Sequence, residues 1–124
     1  MKHFIPPLIF ILVLLISCKE ETLCDTAGYA PPEIALLFPE GSDFEVSSDS
    51  IFTFVFSFSA EAGLNTFSMN GEPIHAFTDD ETESQLVLNR YFWEGGTLEF
   101  VLHDLCDQSA SIIVNMNVIY PPYW

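Results

Sequence analysis

From residue 51 to residue 58 the chain alternates with a period of two. Phe52, Phe54, Phe56 and Phe58 fall on one side, and Ile51, Thr53, Val55 and Ser57 on the other. A helix does not gather residues at this spacing on one face, because its neighbours recur every three or four positions. The segment therefore reads as a strand. Its phenylalanine face is either a ligand groove or core, and core is the ordinary use of such a stripe. The rest of the chain has the same grammar. Short apolar stretches at 33–38, 64–69, 72–77, 85–92, 97–103 and 111–120 alternate with turn signals. Asn70-Gly71 between two of them is the strongest short hairpin signal. Pro73 assigns 72–77 to a sheet edge, since proline donates no ladder hydrogen bond. Leu98, Phe100 and Leu102 are expected to face inward, as are Ile112, Val114, Met116 and Val118. Seven strands in a single domain, with no sustained helical period, predict an all-β fold: a seven-stranded antiparallel sandwich.

Charge narrows the functions open to such a domain. The 124 residues hold 18 acids against 3 lysines and arginines, a net charge of −15. Backbone recognition of nucleic acid needs clustered cations, so no nucleic-acid partner is expected. No Gly-rich phosphate loop points to a nucleotide. An apolar fraction of 49% argues against disorder. Anionic membranes should repel the chain unless something covalent holds it.

The first residues suggest such a hold. Lys2 precedes an unbroken apolar run over residues 8–16, far shorter than the roughly 20 residues that span a bilayer. The run fits the core of a cleaved signal peptide. Leu15-Ile16-Ser17-Cys18 then resembles a bacterial lipobox. The resemblance implies cleavage before Cys18 and a diacylglycerol thioether, with palmitate-type lipid, on its sulfur. The alternative is an ordinary secretory signal beside a chance cysteine. Lys19-Glu20-Glu21 is similar to the charged signal behind the anchor cysteine of surface-exposed lipoproteins in Bacteroidota-type outer membranes. On this reading residues 1–17 are removed, 18–32 form a lipidated acidic tether, 33–120 the sandwich, and 121–124 an aromatic tail. Removal of Lys2 would leave 18 acids against two cations.

From Pro31 to Ile119 the chain also resembles bacterial immunoglobulin-like modules of cell-surface proteins. The matching pieces are Pro31-Pro32, Pro39-Glu40-Gly41, the aromatic second strand, Ala62-Gly63-Leu64, Asn70-Gly71, and Val101-Leu102-His103-Asp104 with Ala110. Such modules usually carry Gly three residues after that Asp, where this chain has Asp107. The resemblance implies an immunoglobulin-like sandwich and leaves function open.

With Cys18 assigned to lipid, Cys24 and Cys106 remain. An even pair in an exported protein predicts a disulfide. Strand alternation places both at one end of the sandwich, as a bridge requires. The alternatives are two free thiols, or a Cys106 nucleophile, for which no orienting partner is evident.

The same alternation sorts the remaining side chains. Glu61, Asp79, Asp80, Glu81, Glu83, Asp104 and Asp107 fall at the tethered end. Five of them, Asp79, Asp80, Glu81, Asp104 and Asp107, are a candidate weak Ca²⁺ site, although no EF-hand spacing is present. The alternative is a solvated anionic surface. Phe44, Trp93, Tyr123 and Trp124 fall at the opposite end and are a candidate patch for a glycan or protein partner. The alternative is that these rings plug the core. His75 and His103 lack metal-ligand spacing, and no cofactor is expected. The function so read is a non-catalytic, lipid-anchored outer-membrane protein facing the cell exterior, a binding or structural module. One alternative is a periplasm-facing accessory lipoprotein of an outer-membrane complex. Another is a small hydrolase, for which a sandwich this size offers little depth.

Overall fold

The computed structural model describes residues 24, 28–78 and 80–122. Expectations for the signal peptide, Cys18, Asp79, Tyr123 and Trp124 lie outside the described residues. Eight strands follow one another: β1 (Glu33–Phe38), β2 (Asp43–Ser47), β3 (Phe52–Ser59), β4 (Leu64–Met69), β5 (Glu72–Ala76), β6 (Glu83–Arg90), β7 (Gly96–Asp104) and β8 (Ser109–Ile119). One sheet has the order β1-β3-β6 and the other β2-β8-β7-β4-β5. All pairings are antiparallel except β2 with β8. The arrangement is an immunoglobulin-like β-sandwich: three early-and-middle strands face a sheet built on the last two strands and the central hairpin.

The strand not expected from sequence is β2. Asp43–Ser47 is only five residues long and follows a Gly41-Ser42 turn, so it reads locally as loop. Its partner is β8, in parallel register from Asp43↔Asn115 to Ser47↔Ile119. Such a pairing leaves no hairpin signal, since the partner lies far along the chain.

The phenylalanine stripe of β3 is core. Phe54 and Phe56 are fully buried and Phe58 nearly so. Across the sandwich they meet Phe67 of β4 and Phe100 of β7, with ring centroids 4.8–5.3 Å apart. Tilted and edge-on ring pairs of this kind add stabilisation beyond the area they bury. Leu98 and Leu102 complete β7's inward row, and Val114 and Met116 that of β8. Asn70-Gly71 makes the expected tight turn, with φ of +51° and +81°, the left-handed geometry that a two-residue hairpin demands. β5 is an edge strand, as Pro73 requires.

Candidate functional site: the two ends of the sandwich

Strand direction gives the molecule a proximal end, where the chain enters β1, and a distal end. The proximal end gathers the start of β1, the β3–β4 and β5–β6 connections and the β7–β8 turn. Cys24 and Cys106 meet there in a disulfide, with Cα atoms 5.5 Å apart. The bridge ties the segment before β1 to the β7–β8 turn.

Asp104 does not behave as the solvated acid that its sequence neighbourhood suggests. It is fully buried. Its Oδ1 accepts from the Cys106 amide at 2.9 Å and the Gln108 amide at 2.8 Å, and its Oδ2 from Gln108 Nε2 at 3.0 Å. The same Gln108 amide group also reaches the Tyr29 carbonyl at 3.4 Å. One carboxylate therefore organises the turn and links it to the segment before β1. Its signal in sequence is an Asp heading a turn, where the side chain can accept amides two and four residues on. Asp107 holds φ of +60°, so it performs in this turn the left-handed step usually given to Gly.

These contacts bear on the calcium candidate. Asp104's oxygens are committed to the turn, and Asp107, Asp80 and Glu81 do not join it in a cluster. Among the described residues no group of three or more His, Cys, Asp or Glu side chains has metal-holding geometry. Three other acids border one depression. Glu33, Glu61 and Glu83 line a shallow depression with Ser59 and Thr82. Glu61 Oε1 accepts the Ala30 amide at 3.1 Å.

Five large apolar side chains are exposed at the distal end, Ile51, Tyr91, Trp93, Ile119 and Tyr120; Leu37, Phe38, Val87 and Ile113 are exposed along the sheets, and Leu105 at the proximal end. Trp93 is 54% exposed, so it is not a core plug. Its turn is held in place from two sides. The Tyr120 hydroxyl donates to the Trp93 carbonyl. Gly95 lies so close to β8 that a Cβ would stand 2.9 Å from the Met116 carbonyl oxygen. Phe44 does not belong to this patch. It lies on β2 and packs against Phe52 and Phe54, with centroids 5.7 and 6.0 Å away. Its inward placement follows from β2, which pairs with β8 rather than looping free.

The exposure of Phe38 has a specific cause. Simple alternation from Ile34 and Leu36 would bury Phe38. A register shift between Leu36 and Phe38 instead pairs Phe38 with Val55, an outward residue of β3. Val55 in turn pairs with Val87 of β6. An apolar row, Phe38–Val55–Val87, thus crosses the outer face of the three-stranded sheet, as bulges can re-aim side chains. His75 and His103, the two histidines of the sandwich, lie on β5 and β7, and the His75 ring packs edge-on against Phe77 at 4.7 Å.

No protein-family model matches the chain, and no curated protein does. Solved structures similar to it include the fibronectin(III)-like modules of Clostridium thermocellum CbhA, at 19% identity and a TM-score of 0.48, covering 73% of this chain and 47% of that one. The titin immunoglobulin tandem A164-A165 is similar at 11% identity and a TM-score of 0.49, covering 74% and 51%. Titin domain M7 is similar at 17% identity and a TM-score of 0.48, covering 73% and 96%. The chain spans about half the length of the first two. The fold assignment itself rests on strand order and register.

Proposed function

We propose that this chain is a lipid-anchored, non-catalytic binding module of a bacterial outer membrane, facing the cell exterior and presenting its distal end to a protein partner. The observation that carries the reading is the set of exposed apolar side chains, Ile51, Tyr91, Trp93, Ile119 and Tyr120, at the end opposite Cys24. A module anchored through residues preceding Cys24 would hold that end away from the membrane. Aliphatic Ile51 and Ile119 are exposed at the same end as the rings of Tyr91, Trp93 and Tyr120. Such mixed anchors suit the core of a protein interface, whereas sugars stack chiefly on ring faces. The Cys24–Cys106 bridge agrees with an exported chain, since disulfides persist in oxidising compartments.

The test has two arms. Cys18→Ser should abolish palmitate labelling and release the protein from the membrane fraction, and protease shaving of intact cells should remove the wild-type domain. Tyr91→Ala with Trp93→Ala should leave the melting temperature nearly unchanged and remove the protein's cross-linked partner in intact cells. Retention of every cross-linked species by the double variant would rule out the distal end as the binding surface.

A further inference from the structure

The four strand edges of the sandwich differ in a way that singles out β6. Sheets commonly blunt their edges with proline, charge, bulges or short strands. β5 carries Pro73 and a register shift against β4. β2 has only five residues and bears Asp43 and Glu45. β1 is interrupted by the shift between Leu36 and Phe38. β6 has no such device over its centre. It pairs with β3 through eight consecutive residues without a shift, from Phe52↔Arg90 to Ser59↔Glu83. It holds no proline and no charge between Ser84 and Asn89. Among the described residues, no strand and no backbone hydrogen bond reaches its outer side.

The side chains of β6 record the same vacancy. Leu86 and Leu88 point inward, opposite Phe56 and Phe54. The two phenylalanines are fully buried, while both leucines are only half-buried. Ile74 of β5 is likewise half-buried against the core. An ion pair between Arg90 and Glu72, at 3.8 Å, links β6 to β5 at the distal end. In constant-type immunoglobulin sheets a fourth strand, D, occupies the place beside the strand equivalent to β6. Here the chain runs from β5 to β6 without forming one.

We propose that β6 accepts an extended segment of a partner protein as the missing fourth strand, uncharged along its length and carrying Lys or Arg at the end that lies beside Glu83. Main-chain bonding to an open edge supplies affinity in this mode, and alternate side chains supply selection. The added strand's inward residues would cover Leu86 and Leu88. Charge selects the occupant. Glu83 begins β6, and Glu33, two strands across the sheet, and Glu61 line the depression beside it. With 18 acids against three cations, a second copy of this chain would bring like charge to like, whereas a basic segment is complementary. In antiparallel pairing the cations belong at the segment's C-terminal end.

The experiment is hydrogen exchange of the full chain in detergent, read over residues 83–90, with an acetylated heptapeptide, Thr-Val-Thr-Val-Thr-Lys-Lys. Exchange should slow at least tenfold, saturably. The same peptide N-methylated at alternate residues should give no slowing, because it cannot pair along an edge. Replacement of both lysines by Glu should weaken the effect at least tenfold. Val87→Lys places a charge at an exposed position outside the core and should abolish the protection while leaving the fold intact. Slow exchange at β6 before any peptide is added would show the edge already covered by the chain itself. Slowing that rises with protein concentration alone would assign the edge to a second copy. Equal protection by the N-methylated peptide would show that no strand is added. Each of these three results overturns the proposal. None depends on the distal end, so failure here leaves that reading standing.

Discussion

The two ends of this sandwich are held by different means. At the proximal end the connections are fixed by a covalent bridge and by a buried carboxylate that accepts three hydrogen bonds. At the distal end there is no such bridge among the described residues. Its turns rest on local backbone geometry, a Tyr120 hydroxyl and a close approach at Gly95. The difference shows how one fold separates tying from presenting. The cross-link and the buried carboxylate lie where the chain enters, and exposed rings lie at the other end. If that reading is right, substitutions at the proximal end should be the costly ones.

The largest effect should come from the bridge. Replacing Cys24 and Cys106 together by Ser opens a loop closed across a sequence separation of 82. Chain entropy puts the loss at about 4 kcal/mol. Urea unfolding of oxidised, reduced and double-Ser protein should give one shared lower stability for the last two. Next in size is Asp104→Ala, which leaves the Cys106 and Gln108 amides without their acceptor in a part-buried turn. A loss of about 2–3 kcal/mol is expected, with Asp104→Asn recovering part of it. An alanine variant within 0.5 kcal/mol of wild type would place the acid among ordinary surface charges after all.

The matching probe at the distal end is Asn70. Its amide donates to the Glu99 carbonyl at 2.8 Å, and its side-chain Oδ1 accepts the Glu99 amide at 2.8 Å. One residue thus turns the β4–β5 hairpin and pairs with β7 as if it were strand. Asn70→Ala removes the acceptor and puts an alanine at φ of +51°. A cost of about 1–2 kcal/mol is expected, below that of Asp104→Ala. Thermal melts of the two variants side by side check the order. A larger loss at Asn70 would erase the contrast between the ends.

Much of this contrast was legible in the sequence because it rests on local rules. The period of two fixed which phenylalanines of β3 are core. Asn70-Gly71 fixed a turn, and Pro73 an edge. Alternation of strand direction was enough to bring Cys24 and Cys106 to one end. What sequence reading missed depends on non-local pairing. β2 exists because β8 lies beside it in parallel, so nothing local in the sequence turns Phe44 inward onto Phe52. The shift at Leu37 reverses the facing of Phe38, and nothing in the residues 33–38 announces it. The burial of Asp104 is not legible either, because charge in sequence does not reveal burial. The uncovered flank of β6 follows from β5 joining the other sheet, which no single segment encodes.

The smallest expected effect sharpens the account of the proximal turn. Asp107 stands in the left-handed region at an exposed position of a strongly anionic chain. Two small penalties are superimposed there: backbone strain, which Asp tolerates better than most residues, and like-charge repulsion. Asp107→Asn removes the charge and keeps a side chain suited to this geometry. Asp107→Gly removes the charge and the strain, at the expense of a more flexible unfolded chain. The Asn variant should gain a few tenths of a kcal/mol at low salt and lose that gain in about 1 M salt, where the Debye length falls to about 3 Å. The Gly variant should gain about 0.5 kcal/mol, and part of that gain should survive the salt. Denaturant titrations of both variants at two ionic strengths separate the contributions. If the gains of both vanish together in salt, the turn carries no strain, and Asp107 suits this position as well as glycine would.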